Sequence, residues 1–188
     1  EAPNEPGKKP LLMQTVAEAG AFCAARDKRL CTEDEWVRAC EGPHGRKFPY
    51  GDRYERGRCN DDGAFLDPDW NLLGSYPSED GKREAARLDQ SEPSGARTQC
   101  VSEEGVFDLS GNAAEWVADY YDRDEEGYGY GRGALVNPKG PPFSGYGHAF
   151  RGGSYRDGAH WMRGAARRAW PYSSREIGFR CAYDVRPG

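Results

Sequence analysis

The chain has 188 residues, of which 31 are acidic and 26 are basic, so its net charge is −5 with His neutral. Because both signs are scattered and form no basic stripe, nucleic acid is excluded as the main partner, and no apolar run reaches the length of a membrane span. The length suits one domain with one core, so residues 1–188 are treated as a single domain. With 25 Gly, 13 Pro and 12% aromatic residues, the composition predicts a loop-rich fold anchored by Trp and Tyr side chains.

Two short helices are predicted near the N-terminus, because a capping box introduces each of them. Thr15 is followed three residues later by Glu, and the apolar side chains that come next recur at helical spacing, so the first helix is predicted over residues 16–26. Thr32 is likewise followed three residues later by Glu, and Trp36 and Cys40 fall on the buried stripe of the second helix. Trp36 is therefore assigned a structural role.

The six cysteines, an even number in a loop-rich chain, favour disulfides and an oxidising location, which is extracellular, periplasmic or at the cell surface. The alternative is six reduced thiols in a cytosolic protein. No C-x-x-C pair or Cys/His cluster has zinc spacing, so a structural zinc site is disfavoured. Cys31 precedes the second helix and Cys40 lies inside it, about nine residues or roughly 13 Å away. A disulfide needs Cα atoms about 4.4–6.8 Å apart, so this pair is not expected to form one.

Residues 42–99 are predicted to be mostly loop. Asn60 and Asp61 begin a run of Asn, Asp and Gly that concentrates oxygen ligands of the type that calcium prefers. The alternative is a solvated acidic loop. An EF-hand is excluded, since Leu72 and Ser78 stand where such a loop requires Gly and Glu.

The stretch at residues 105–121, GVFDLSGNAAEWVADYY, places polar residues between apolar flanks. This pattern predicts a turn built inside the core, in which the Gly-Asn pair suits a backbone with positive φ. Asn112 and Glu115 are assigned structural hydrogen-bonding roles, and Trp116 is assigned an anchoring role in the core. Taken alone, the stretch indicates only a buried turn that leads into a strand or a short helix.

Four sequence motifs follow one another along the chain. They are RLCTEDEW at 29–36, the stretch at 105–121, NPKGP at 137–141, and RGGSY at 151–155 followed by GFR at 178–180. In this order and spacing they resemble the formylglycine-generating enzyme, or sulfatase-modifying factor, family over nearly the whole chain. The resemblance implies an α+β fold of the C-type-lectin-like type, with two helices near the N-terminus, long loops and a small twisted antiparallel sheet.

The same resemblance implies one disulfide and structural calcium. It pairs Cys23 with Cys181, which would join the first helix to the last strand. The partners of the other cysteines stay open: Cys31, Cys40, Cys59 and Cys100. Family members carry structural calcium in two loops, and the residues that match those loops in this chain are Asn60, Asp61, Ser102 and Gly105.

The family's chemistry does not carry over with the fold. Its enzymes oxidise a substrate cysteine to formylglycine, using two cysteines that lie shortly after the Gly-Gly-Ser-aromatic motif and bind copper. In this chain residues 156–168 contain no cysteine, and none stands between Cys100 and Cys181. Because soft thiolate ligands select Cu(I), no copper is expected here. The chain is therefore predicted to be a non-catalytic member of the family, a pseudoenzyme.

A recognition function is predicted in place of catalysis. The region that shapes the substrate cleft in family members matches residues 151–170, which are rich in Arg and Trp, the residue types typical of binding hot spots. The alternative for these Arg side chains is internal pairing with carboxylates. The predicted ligand is a peptide, a protein or an anion, and the residues assigned to bind it are Arg156, His160, Trp161, Arg163, Arg167 and Trp170.

Two other functions stay open at this point. One is an enzyme of altered chemistry with a metal near His160 and Met162, and the other is a structural domain appended to a larger signalling or surface protein. Family domains usually open with strands that precede the region matching residues 9–11, so the chain is either a minimal version or the C-terminal portion of a larger domain. An upstream segment or a second chain is expected to complete the fold, because a missing strand leaves a sheet edge unpaired.

Overall fold

The computed structural model describes residues 7–121 and 147–184, and the NPKGP motif at 137–141 lies outside them. The described part contains four helices and six short strands. The helices are α1 (Val16–Ala24), α2 (Glu33–Glu41), α3 (Trp70–Gly74) and α4 (Glu79–Leu88). The strands are β1 (Arg29–Leu30), β2 (Ala114–Tyr120), β3 (His148–Arg151), β4 (Arg167–Ala169), β5 (Ile177–Phe179) and β6 (Cys181–Ala182).

Both predicted capping boxes are present and begin α1 and α2. The Thr15 side chain accepts a hydrogen bond from the Glu18 amide, and the Glu18 carboxylate accepts one from the Thr15 amide at 2.8 Å. Thr32 and Glu35 make the same reciprocal pair, with the return bond at 2.9 Å. Each box satisfies amides that a helix start leaves unpaired. The first helix ends at Ala24, two residues before the predicted end, because the chain there closes into a tighter turn.

The region predicted to be mostly loop is mostly irregular, but it also contains α3 and α4, at residues 70–74 and 79–88, which the sequence did not predict. The sequence of α4 hides its helical character, because only Ala85 and Leu88 are buried apolar residues and Gly81 interrupts it. Gly81 is required by packing, since a Cβ atom at this position would lie 2.5 Å from the Tyr76 backbone nitrogen. The helix is instead supported along its surface by three ion pairs between residues three apart.

The main sheet has four strands in the order β4-β3-β2-β5. The pairs β2–β3 and β3–β4 are antiparallel, as expected, whereas β5 lies parallel to β2 with Gly178 opposite Glu115. The sheet is therefore mixed rather than purely antiparallel. Its two edge strands run in the same direction, so the segment from β4 to β5 must cross the sheet and cannot be a hairpin. The expected α+β fold is otherwise confirmed.

A second, two-stranded sheet joins the beginning of the chain to its end. In this sheet β1 pairs with β6, so that Leu30 lies opposite Cys181. The predicted disulfide between Cys23 and Cys181 is confirmed, with a Cα–Cα distance of 5.6 Å, and it fastens α1 to β6. Helix α1 packs on the main sheet through Cys23 and Ala19, against Trp116 and Phe179.

The cysteines whose pairing the sequence left open form one further disulfide. Cys59 and Cys100 are bridged with a Cα–Cα distance of 4.9 Å, and the bridge packs in a small core with Met162. Cys31 and Cys40 are buried free thiols, so the prediction that they do not bridge is confirmed. Within residues 7–121 and 147–184, no helix has the length and hydrophobicity that crossing a bilayer requires.

Candidate functional site

The turn at the centre of the chain is held tightly between two other loops. Gly111 donates its amide to the Gly152 carbonyl at 2.8 Å, and Asn112 donates its amide to the Asn60 carbonyl at 2.7 Å. Asp108 and Asn112 both adopt positive φ, at 59° and 62°. A Cβ atom on Gly111 would lie 2.3 Å from the Asn60 carbonyl oxygen, so only glycine fits there. The turn thus joins the loop at residue 60 to the Gly-Gly pair after β3.

Asn112 uses its whole side chain inside this junction. Its Oδ1 accepts from Asn60 Nδ2 at 3.1 Å and from the Glu92 amide at 2.8 Å, and its Nδ2 donates to the Glu92 carbonyl at 3.1 Å. The side chain is buried. These are the contacts of a residue that fixes loops in place rather than one that is available to a ligand.

Glu115 lies at the centre of a second buried group. Its carboxylate accepts from the Trp36 indole nitrogen at 2.7 Å and from Arg180 Nε and Nη2, both at 2.6 Å. Trp116, the next residue, points the other way and donates its indole N–H to the Gln14 carbonyl at 3.0 Å. Helix α2, strand β2 and the end of β5 are thereby tied together by one carboxylate.

Glu33 forms a third buried group, which sequence reasoning did not find. Its carboxylate accepts from Arg151 Nε at 2.8 Å, and from Arg167 Nε and Nη2 at 2.7 Å and 2.6 Å. The side chains of Glu33 and Arg151 are almost completely buried. Because Glu33 is separated from its partners by more than a hundred positions, no local pattern in the sequence signals this group.

Most of the arginines assigned to ligand binding are paired inside the protein. Arg167 bonds to Glu33, and Arg156 donates to Glu176 Oε1 at 2.6 Å. Arg168, a neighbour that was not assigned to binding, pairs with Asp157 at 2.6 Å and lies between the rings of Phe150 and Trp161. The space enclosed by Trp161, Arg168 and their neighbours admits no water-sized molecule.

The remaining members of the predicted binding set are more exposed. His160 and Arg163 lie on the surface, where Arg163 Nε donates to the His160 carbonyl at 3.0 Å. Trp170 is 50% exposed and contacts Tyr172 edge to face. The structure does not gather the six residues into one cleft, and their role in ligand binding stays a prediction.

His160 and Met162, near which the sequence predicted a metal, do not face a common site. Met162 is fully buried against the Cys59–Cys100 disulfide, whereas the His160 ring is exposed and packs edge to face on Trp161. Among the residues that the structure describes, no three His, Cys, Asp or Glu side chains come together in a group that could hold a metal ion.

The residues matched to calcium loops are already bonded within the protein. The Asp61 carboxylate accepts from the Tyr54 hydroxyl at 2.6 Å and from the Gly57 amide at 3.0 Å. The Ser102 hydroxyl accepts from the Val106 amide at 3.2 Å, and the Ser102 carbonyl accepts from the Gly105 amide. These oxygens do not form a ready calcium coordination shell, so calcium binding at Asn60, Asp61, Ser102 and Gly105 stays a prediction.

The two free thiols lie in the core rather than at the surface. Cys31 and Cys40 both belong to the apolar cluster between α2 and the main sheet. Burial raises the pKa of the Cys31 thiol to about 11, and burial raises the pKa of Cys40 further still. A thiol in this state is neither nucleophilic nor a ready metal ligand at neutral pH.

This burial predicts the reactivity of both thiols. We expect the folded protein to resist Ellman's reagent at pH 8, because the thiolate forms only well above that pH, and to release two thiol equivalents per chain after denaturation without a reductant. Raising the pH towards 11 should speed the reaction of Cys31 before that of Cys40. Rapid labelling of either thiol in the folded protein at pH 8 would contradict the assignment.

A cavity of about 660 Å³ opens beside the central turn, and sequence reasoning missed it. Its apolar walls come from Phe22, Phe107 and Phe179, and the Asp108 side chain contributes to its lining. Asp108 Oδ2 accepts the Gly95 amide at 2.8 Å, and burial raises the pKa of this carboxyl group. Phe107 is 40% exposed, which is unusual for a large apolar side chain, and no local pattern in the sequence signals its place in the cavity wall.

The family can now be identified from comparison with known proteins. A family model described as "Sulfatase-modifying factor enzyme 1-like domain" matches residues 2–185. The chain belongs to this family. The resemblance seen in the four motifs is thereby confirmed, and its α+β, C-type-lectin-like fold agrees with the mixed sheet and helices described above.

Curated members of the sulfatase-modifying factor family and related proteins match most of the chain. The formylglycine-generating enzyme of Bos taurus is 34% identical over 188 residues, which cover 95% of this chain and 45% of that protein. Serine/threonine-protein kinase Pkn1 of Chlamydia trachomatis is 31% identical over 189 residues, covering 97% of this chain and 26% of the kinase. The "Inactive C-alpha-formylglycine-generating enzyme 2" of Mus musculus is 32% identical over 117 residues, or 60% of this chain and 32% of that protein. The chain thus spans less than half the length of these relatives.

Two solved structures share the fold. The structure titled "Crystal Structure of CarF" matches 99% of this chain and 72% of its own with a TM-score of 0.62 and 16% identity. PvdO from Pseudomonas aeruginosa matches 94% of this chain and 62% of its own with a TM-score of 0.60 and 17% identity. At this level of identity, the two matches support the sulfatase-modifying factor fold, and they say nothing about a ligand.

Proposed function

We propose that this chain is a non-catalytic sulfatase-modifying-factor domain that recognises an extended peptide or an anionic group on a partner protein. The observation that carries the proposal is the segment after RGGSY at 151–155, which has no thiol and in which Arg156, Arg167 and Arg168 pair with carboxylates inside the protein. Asp157 in this segment accepts from the Ser154 amide and hydroxyl at 2.8 Å and 3.0 Å, and it pairs with Arg168. Residues that could react are therefore replaced by residues that hold the loop.

The oxidation of a cysteine by this family depends on a pair of thiolates. The two free thiols of this chain do not supply such a pair, because Cys31 and Cys40 are buried and burial raises the pKa of each. The remaining cysteines of the chain are held in two disulfides. The mouse relative is named an inactive enzyme of the same family, and this name supports a member without the activity.

The same module occurs as part of longer proteins, which supports recognition as its role. In the Chlamydia trachomatis kinase the region that matches this chain is 26% of the protein. We propose that the domain acts beside other domains in a larger surface or signalling protein. Its two disulfides fit an oxidising compartment, and we propose that it works at the cell surface, in a periplasm or outside the cell.

The activity is tested with a cysteine-bearing sulfatase-type peptide, copper(I) and oxygen, with mass spectrometry of the peptide as the readout. We expect no conversion of cysteine to formylglycine, whereas the bovine enzyme run in parallel should convert the peptide. A Cys31→Ala/Cys40→Ala double variant is the matched control, because it removes both free thiols. Conversion by the wild-type chain that the double variant loses would overturn the proposal.

A further inference from the structure

The cavity beside the central turn is lined by cationic as well as apolar side chains. Arg26 lies with its guanidinium carbon 3.6 Å from the centroid of the Phe22 ring, and Lys28 Nζ lies 4.3 Å from that of Tyr183. Both side chains line the cavity. Within residues 7–121 and 147–184, neither has a carboxylate within ion-pair distance, although Arg26 Nη1 donates to the Phe22 carbonyl at 3.0 Å.

Arg180 brings a third cation to the same cavity. Its Nε and Nη2 are used by Glu115, and Nη2 also donates to the Phe107 carbonyl at 3.1 Å. No bond to its Nη1 occurs among the described residues, and about a quarter of the side chain is exposed. Because Glu115 neutralises Arg180, the lining retains Arg26 and Lys28 against the single carboxylate of Asp108.

The charged side chains of the cavity differ in their pairing from the arginines that the sequence assigned to ligand binding. Arg156 and Arg167 each bond to a carboxylate, so their charge is neutralised inside the protein. Arg26 and Lys28 lie beside aromatic side chains, and their charges are not neutralised by a carboxylate of the described residues. Such surroundings attract a carboxylate and can bury an apolar group next to it. The cavity volume, about 660 Å³, lies in the range of known ligand sites.

We propose that the cavity between α1 and the central turn binds an acidic peptide segment, in which one apolar side chain enters between Phe22, Phe107 and Phe179 and flanking Asp or Glu side chains face Arg26 and Lys28. The inference rests on the proposed recognition function and names its site and ligand class. A peptide rather than a small acid is favoured because three Phe side chains and two cations line a cavity of about 660 Å³, which is larger than a single small acid would fill.

The test is a fluorescence anisotropy titration at low salt with fluorescein-labelled Asp-Asp-Leu-Phe-Asp-Asp. Two matched probes carry Lys in place of every Asp, or Ser in place of Leu and Phe. We expect the acidic probe to bind, both matched probes to bind at least about tenfold more weakly, and the affinity of the acidic probe to fall as salt rises.

Charge-reversal variants locate the site. Arg26→Glu/Lys28→Glu should weaken binding of the acidic probe by about tenfold or more, because two attractive charges become repulsive. Lys47→Glu/Arg53→Glu makes the same change in net charge at exposed positions that do not line the cavity, and it should leave binding almost unchanged. Phe107→Ala removes an exposed wall and should also weaken binding, with thermal melting showing that each variant is folded.

Three outcomes overturn the inference. The first is that the acidic probe does not bind, and the second is that both charge-reversal variants lose affinity for it equally. The third is that phenylacetate displaces the probe at the same concentrations as the unlabelled peptide, which would assign the cavity to small acids. The formylglycine assay separates this result from the proposed function. If the chain neither binds the peptide nor forms an aldehyde, the inference about the cavity fails, while the proposal that the domain is non-catalytic stands.

Discussion

Glu33→Gln is expected to lower the free energy of unfolding by about 3–5 kcal/mol, the range for removing one partner of a buried ion pair. The carboxylate of Glu33 is the counter-charge for Arg151 and Arg167, whose side chains are 0% and 9% exposed. Gln keeps the shape of the side chain and loses the charge. Two buried guanidinium groups would then lose the carboxylate to which both are bonded, and this loss is the cause of the expected destabilisation.

Unfolding in guanidinium chloride, monitored by circular dichroism, measures this change in the free energy of unfolding. The matched control is Glu79→Gln, which makes the same substitution on the exposed surface of α4 and breaks only a pair with Lys82. The control should have an unfolding midpoint like that of the wild type. Equal midpoints for Glu33→Gln and the control would show that the buried group contributes little to stability.

Removing the disulfide between Cys23 and Cys181 is expected to have the second large effect on the free energy of unfolding. The two residues are 158 positions apart in sequence, so the bridge restricts nearly the whole unfolded chain. In the chain-entropy account a loop of this size corresponds to about 4–5 kcal/mol of stability. We expect Cys23→Ala/Cys181→Ala to lose that amount in guanidinium unfolding, and to lose the link between α1 and β6.

The control for this variant is Cys31→Ala, which removes a buried sulfur that forms no disulfide. It should be destabilised by about 1 kcal/mol, as for a small cavity in a core. Under reducing conditions the difference between the wild type and the double variant should shrink to about 1 kcal/mol, the cost of a small cavity at the buried Cys23, because both then lack the long-range bridge. A difference that stays at about 4–5 kcal/mol after reduction would mean that the sulfur atoms stabilise the fold by packing rather than by cross-linking.

The parts of the fold that local sequence determines were the parts that could be predicted. Thr15 and Thr32 start α1 and α2 through bonds to residues three positions away, so the sequence alone contains the whole signal. Helix α4 could not be found in this way, since Gly81 weakens the pattern and is explained only by the nearby backbone of Tyr76. The parallel pairing of β5 with β2 likewise depends on contacts between residues more than sixty positions apart.

The candidate site shows the same division. The family motifs predicted correctly that Cys23 pairs with Cys181, but the Cys59–Cys100 bridge had no local signal. The arginines after β3 looked available from sequence because their carboxylate partners come from other elements. Arg167, for example, bonds to Glu33 on α2, at a separation of 134 positions. Which charges are free is a property of tertiary packing, and the sequence order does not contain it.

The pairing of β1 with β6 constrains how the chain can fold during translation. The ribosome releases β1, at residues 29–30, long before it releases the strand that pairs with it, at residues 181–182. The partner of Cys23 also arrives late, so this thiol waits while Cys31, Cys40 and Cys59 are already within reach of it. This sheet therefore cannot form until residues 181–182 have been synthesised, and any earlier disulfide of Cys23 must be exchanged before the native bridge can form.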